Sequence, residues 1–113
     1  MKDCIFCKIV EGVNPAKKVY EDDDVLVFEN INPVAEIHLL VCPKKHIESF
    51  LKIDESFSLT PMVEATQKII SEKNIQEGYK LVFNGGKYQT VPHLHWHLLA
   101  GKLEDNEDVL NKT

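Results

Sequence analysis

The chain has 113 residues, 43% of them apolar and 27% charged, which fits one compact domain (core 1–101, acidic tail 102–113) and leaves no room for a second. A net charge of −5 argues against a nucleic-acid polymer as ligand, because a phosphate backbone needs a basic surface to displace its counterions. No apolar run approaches the ~20 residues of a membrane span, and Met1-Lys2-Asp3-Cys4 leads into charged sequence rather than a secretory core. A cytoplasmic protein acting on small ligands, with no membrane partner, is therefore expected.

Apolar residues at 5, 6, 9 and 10 follow helical spacing and end near Gly12 and Pro15, so a short N-terminal helix is predicted. Val19-Tyr20 and Val25 to Phe28 flank the acidic turn Glu21-Asp22-Asp23-Asp24 as a hairpin, and Ile37 to Cys42 is apolar except for His38. Thr60-Pro61 is a good helix start, after which Leu59, Met62, Val63, Thr66 and Ile70 fall on one face of a long amphipathic helix. Tyr79 to Phe83 and Val91 to Ala100 read as strands around the turn Asn84-Gly85-Gly86. The whole is an α+β domain: a five-stranded antiparallel sheet with one long and one short helix.

Chemistry concentrates in His93-Leu94-His95-Trp96-His97. On a strand, the three histidines share one face while Leu94, Trp96 and Leu98 share the other, core-facing one. A plain solvent face would carry Thr, Lys, Glu or Ser, so three imidazoles in register suggest a chemical site. Alternate strand residues sit about 6.5 Å apart, close enough for two imidazoles to share a metal. Cys4-x-x-Cys7 is the stronger metal signal in a reducing compartment, whereas Cys42 reads as a buried apolar residue. Using every unusual residue gives zinc to Cys4, Cys7 and two histidines and leaves other histidines for nucleophilic catalysis. His46 reads equally as a further ligand or as a surface loop residue.

Cys4-Ile5-Phe6-Cys7-Lys8-Ile9, Ala16 to Asp22, Ile31-Asn32-Pro33, Pro43-Lys44-Lys45-His46-Ile47 and the row ending at Leu99 resemble the histidine-triad (HIT) proteins, specifically the Hint branch. The resemblance runs from Cys4 to about Gly101. It implies a nucleotide-binding HIT-like fold, a homodimer with its sheets joined across the two-fold, and hydrolysis or transfer at the α-phosphorus of a purine nucleotide or nucleoside phosphoramidate.

By position, the resemblance makes His95 the nucleophile, His97 and His38 its companions, and Thr90 the hydroxyl that assists departure of the leaving group. Ile5, Phe6, Ile9, Phe28 and Ile31 match a purine pocket, although spacing alone makes them core. Asn84 and Gln89 match further nucleotide contacts. Asn30 stands where relatives commonly place an Asp that accepts both ribose hydroxyls. One structural zinc per chain falls to Cys4, Cys7, His46 and His93. The rival functions are a dinucleoside polyphosphate hydrolase and a nucleotide-sensing interaction module with little turnover.

Overall fold

The computed structural model describes residues 3–103. The predicted acidic tail lies outside them from residue 104 on; Lys102 and Leu103 belong to the last strand. In chain order the elements are α1 (Ile5–Val10), β1 (Lys18–Glu21), β2 (Val25–Glu29), β3 (Ala35–Pro43), α2 (Thr60–Glu72), β4 (Lys80–Val82) and β5 (Trp96–Leu103). Short 3-10 turns occupy Phe50–Lys52 and Gly86–Tyr88. No helix among these residues is long and apolar enough to cross a membrane.

The five strands form one antiparallel sheet in the order β1-β2-β3-β5-β4. Its β1–β2 hairpin closes on Asp22, whose Oδ1 accepts from the Asp24 and Val25 N–H groups at 2.8 Å. The acidic turn is thus a capped turn. Alternation along β2, β3 and β5 sends Val25, Val27, Leu39, Val41, Leu94, Trp96 and Leu98 to one face, where α2 covers them with Met62, Ala65, Ile69 and Ile70. Helix α2 has Pro61 in its first turn and ends on Asn74 at φ 58°, a left-handed stop.

The opposite face carries Leu26, Phe28, Leu40 and Cys42, and α1 lies on it through Cys4, Phe6, Cys7 and Ile9. Each large apolar side chain so buried contributes about 1.5–3 kcal/mol. The histidine row belongs to this second face, so a helix distant in sequence covers it. His93, His95 and His97 are consequently buried, not on a solvent face.

Three details differ from expectation. The last strand begins at Trp96 rather than Val91: its final β3 pair is Val41 with Trp96, and ahead of it the Leu94 N–H turns to the Ile47 carbonyl at 2.6 Å and the His93 N–H to the Val91 carbonyl at 2.8 Å. β4 is confined to three residues. Val63 was expected on the buried face of α2, yet it is 41% exposed while Ala65 and Ile69 take its place in the core.

Candidate active site and metal centre

Helix α1 starts at Cys4, whose sulfur caps it by accepting from the Cys7 N–H at 3.3 Å. One helical turn therefore brings both sulfurs to the same end of the helix. His46, just past the end of β3, and His93, just before β5, meet them there. Cys4 Sγ lies 3.3 Å from His93 Nδ1, and Cys7 Sγ lies 3.2 Å from His46 Nδ1 and 3.5 Å from His93 Nδ1. All four donor atoms fall within 4.8 Å of one another.

A tetrahedral zinc with Zn–S near 2.3 Å and Zn–N near 2.0 Å requires S···N separations of about 3.5 Å, so the donor set fits that ion. The His93 Nε2–H donates to the Pro43 carbonyl at 2.8 Å, leaving the lone pair on Nδ1, where a metal binds. Burial, reinforced by the neighbouring Cys4, raises the Cys7 thiol to about 11; a cation is what would draw the thiolate form from such a site. Cys42, fully buried beneath α1, is raised to about 12 by burial and stays an inert apolar residue.

Beside this centre, His95 Nδ1–H donates to the main-chain carbonyl of His93 at 2.6 Å. In the neutral ring this places the lone pair on Nε2. Phe6 stands edge-on to the His95 ring at 5.0 Å. Two further rings follow, His38 held by the backbone and His97 held by His38. The Val34 N–H donates to His38 Nδ1 at 3.0 Å, so the neutral His38 carries its proton on Nε2 and donates it to His97 Nδ1 at 2.8 Å. His97 must then carry its own proton on Nε2. That buried atom has no hydrogen-bond partner among the described residues. A buried N–H in this condition costs about 1–3 kcal/mol, and it suits an acceptor delivered by a ligand.

A cavity of about 270 Å³ adjoins the row, lined by Ile5, Phe6, Ile9, Phe28 and Ile31 with Asn30 at its polar end. Asn14, Pro15, Ala16, Glu29 and Leu40, which spacing did not single out, complete its wall. Asn30 Oδ1 accepts from the Asn32 N–H at 2.9 Å, and its Nδ2 lies 3.2 Å from His38 Nε2. Phe6 and Asn30 thus border both the cavity and the histidines.

The remaining residues of the expected site lie on the segments between β4 and His93. Thr90 is exposed on the loop ahead of His93, and Asn84 is half-buried directly after β4. The Gln89 side chain binds its own loop, its Nε2 donating to the Glu48 and Val91 carbonyls at 2.8 and 2.9 Å. The groups that sequence reasoning missed are mostly main-chain: the Val34 N–H and the Pro43 carbonyl. No residue type encodes them, so no sequence signal was there to find.

The HIT domain family model matches residues 11–104. An uncharacterised HIT-like protein of Methanocaldococcus jannaschii is 42% identical over 110 residues, covering 94% of this chain and 84% of its own. A histidine triad protein from Clostridium difficile superposes with a TM-score of 0.87 at 45% identity, covering 94% of this chain and 96% of that one. A HIT family hydrolase from Clostridium thermocellum gives 0.85 at 40% identity, over 89% and 92%. A zinc-bound histidine triad family protein from Mycobacterium smegmatis gives 0.76, over 96% and 80%, and a histidine triad nucleotide-binding protein from Candida albicans gives 0.78, over 85% and 73%, both at 32% identity. With the family model spanning most of its length and the histidine row buried beside an apolar cavity, this chain belongs to the HIT domain family.

Proposed function

We propose that the chain is a purine nucleotide hydrolase or transferase of the Hint branch, of the nucleoside phosphoramidase type, acting at the α-phosphorus through a nucleotidyl-His95 intermediate. One observation carries the reading: His95 is anchored through Nδ1 to a main-chain carbonyl, with His97 beside it offering a buried Nε2–H. A neutral imidazole oriented in this way is a competent nucleophile. His95 Nε2 bonds to phosphorus as the bond to the leaving amine breaks, and the amine departs with a proton from the Thr90 hydroxyl or water. Water then displaces the imidazole and releases the nucleotide, the proton it sheds replacing the one given to the amine. The His97 Nε2–H donates to a nonbridging oxygen as charge builds there.

The apolar cavity suits a flat heterocyclic base, with Asn30 at the sugar end. Relatives described as a hydrolase and as nucleotide-binding support the assignment. The donor set of Cys4, Cys7, His46 and His93 would hold zinc, and a closed Cys2His2 site supplies a structural crosslink rather than a Lewis acid. The zinc-bound relative supports that choice of metal. A homodimer in the cytoplasm completes the proposal.

The test is to quench a reaction with an adenosine phosphoramidate and map the adduct by mass spectrometry. A nucleotidyl adduct, labile in acid, is expected on the peptide containing His95. His95→Ala should lower turnover by several orders of magnitude and leave nucleotide affinity within about tenfold, as when an interaction made mainly in the transition state is lost. An adduct on His97 or His38, or full activity in the variant, overturns the mechanism. Binding without turnover would make the chain a nucleotide sensor instead.

A further inference from the structure

The segment that bears the proposed nucleophile is not part of the sheet. β5 begins at Trp96, and Val91 to His95 are held by individual contacts, most of which meet at His93. Its ring Nδ1 faces the Cys4 and Cys7 sulfurs at 3.3 and 3.5 Å, and its Nε2–H donates to the Pro43 carbonyl at 2.8 Å. Its N–H donates to the Val91 carbonyl at 2.8 Å, and its own carbonyl accepts from His95 Nδ1–H at 2.6 Å. One fully buried residue therefore belongs at once to the metal centre and to the anchor of the nucleophile.

The other ligands reinforce the connection. His46 and His93 flank the bond from the Leu94 N–H to the Ile47 carbonyl, 2.6 Å long, which joins the same two irregular segments. Cys4 and Cys7 belong to α1, whose Phe6 ring rests against His95. An ion shared by the four ligands would clamp together three segments that surround His95, none of them fixed there by the strand ladder.

We propose that the metal site is a positioning device for the nucleophile: with the ion bound, the His93 peptide is locked and its carbonyl holds His95 in one tautomer and one orientation, and without it both are lost. His93 is on this account a positioning residue, acting through His95. The inference rests on the zinc reading above and partly on the covalent one. A purely fold-stabilising metal would change the melting temperature and leave the His95 ring as it is.

The test uses the full chain labelled with ¹⁵N-histidine, with zinc content measured before and after chelation and again after reloading with one equivalent. Long-range ¹H–¹⁵N spectra, with His95 assigned by the signals missing in His95→Gln, report the tautomer directly. The zinc-loaded chain should show His95 protonated on Nδ1 alone. The metal-free chain should show averaged shifts of two exchanging tautomers, with far-ultraviolet dichroism unchanged. Adduct formation at saturating nucleotide should slow on the order of a hundredfold, as expected for a misplaced reacting group.

Where chelation melts the chain, the comparison passes to Cys7→Ser/His46→Ala, which keeps only Cys4 and His93 of the four ligands; it should take up no zinc and show the same averaged His95 signals. Bound zinc with one His95 spectrum and one rate in both states overturns the inference alone. A wild-type chain that takes up no zinc overturns the metal reading and the inference with it. An adduct on another histidine overturns the covalent reading, while the tautomer comparison still decides this one.

Discussion

His97 and His38 are the residues in which burial acts most directly on chemistry. Burial, helped by His95 and His38, lowers His97 to about 3, and burial lowers His38 to about 4. In the unfolded chain both titrate near 6.5. Above that pH they are neutral in either state and stability is full. Below it the unfolded chain takes up protons that the folded rings refuse, so stability falls as the pH drops from about 6.5 toward 4. Urea midpoints at pH 7.5 and 5.0 should therefore separate widely in the wild type and less in His38→Asn/His97→Asn; equal separations would show that these rings do not set the acid limb. Asn30 poses a second question at this scale. Its Oδ1 accepts from the Asn32 N–H and its Nδ2 lies 3.2 Å from His38 Nε2, at the rim of the apolar cavity. Asn30→Asp should tighten ribonucleotide binding more than binding of the 2′-deoxy analogue, because a carboxylate accepts from both hydroxyls. Calorimetry showing equal effects on the two sugars would remove Asn30 from the ribose.

Elements with a clean period were legible. The short helix at Ile5–Val10 and the long one from Thr60 appear where apolar spacing placed them, and so does the β1–β2 hairpin. What the chain hides is the partner of each element. Leu94, Trp96 and Leu98 alternate with the histidines through residue 98, yet the ladder starts only at Trp96, since the Leu94 N–H goes to the Ile47 carbonyl and the His93 N–H to the Val91 carbonyl. The burial of the histidine row was hidden for a related reason: α1 covers that face from the far end of the sequence. Gly101 is another feature that pattern reading passed over. It sits at φ 76° where the β3–β5 register shifts, and an added Cβ would lie 2.7 Å from Glu36 Oε1 and 2.8 Å from Glu36 Cβ. That is a glycine-dependent bulge, closed by the Lys102 N–H donating to Glu36 Oε1 at 2.8 Å. Gly101→Ala should cost about 1–3 kcal/mol in chemical denaturation. Adding Glu36→Ala should recover only the steric part, because the left-handed backbone remains; an unchanged midpoint in the single variant would refute the bulge argument.

At the scale of the whole molecule, the two sheet edges are treated differently. The β1 edge is charged: Lys18 meets Glu21 at 3.4 Å and Lys44 meets the same carboxylate at 2.8 Å, a composition that discourages strand addition. The β4 edge is apolar. Leu81 pairs with Leu98 and so points to the α2 face, as does Phe83, whose ring meets Trp96 at 6.2 Å; Leu81 and Phe83 remain 49% and 38% exposed, and Tyr79, just ahead of β4, is 47% exposed. An open strand edge carrying a row of half-exposed apolar side chains is a surface made for a second strand. In a homo-oligomer the simplest closed solution is a two-fold axis that sets β4 against its own copy, so that one patch serves both protomers. A domain this small gains correspondingly from joining its core to another. The chain should therefore be a dimer by light scattering at micromolar concentration. Leu81→Asp brings two like charges to the axis and should yield monomers with unchanged far-ultraviolet dichroism, whereas Lys18→Ser on the β1 edge should leave the dimer intact. A monomeric wild type would rule out the β4 interface, and dissociation by Lys18→Ser rather than Leu81→Asp would move it to the other edge of the sheet.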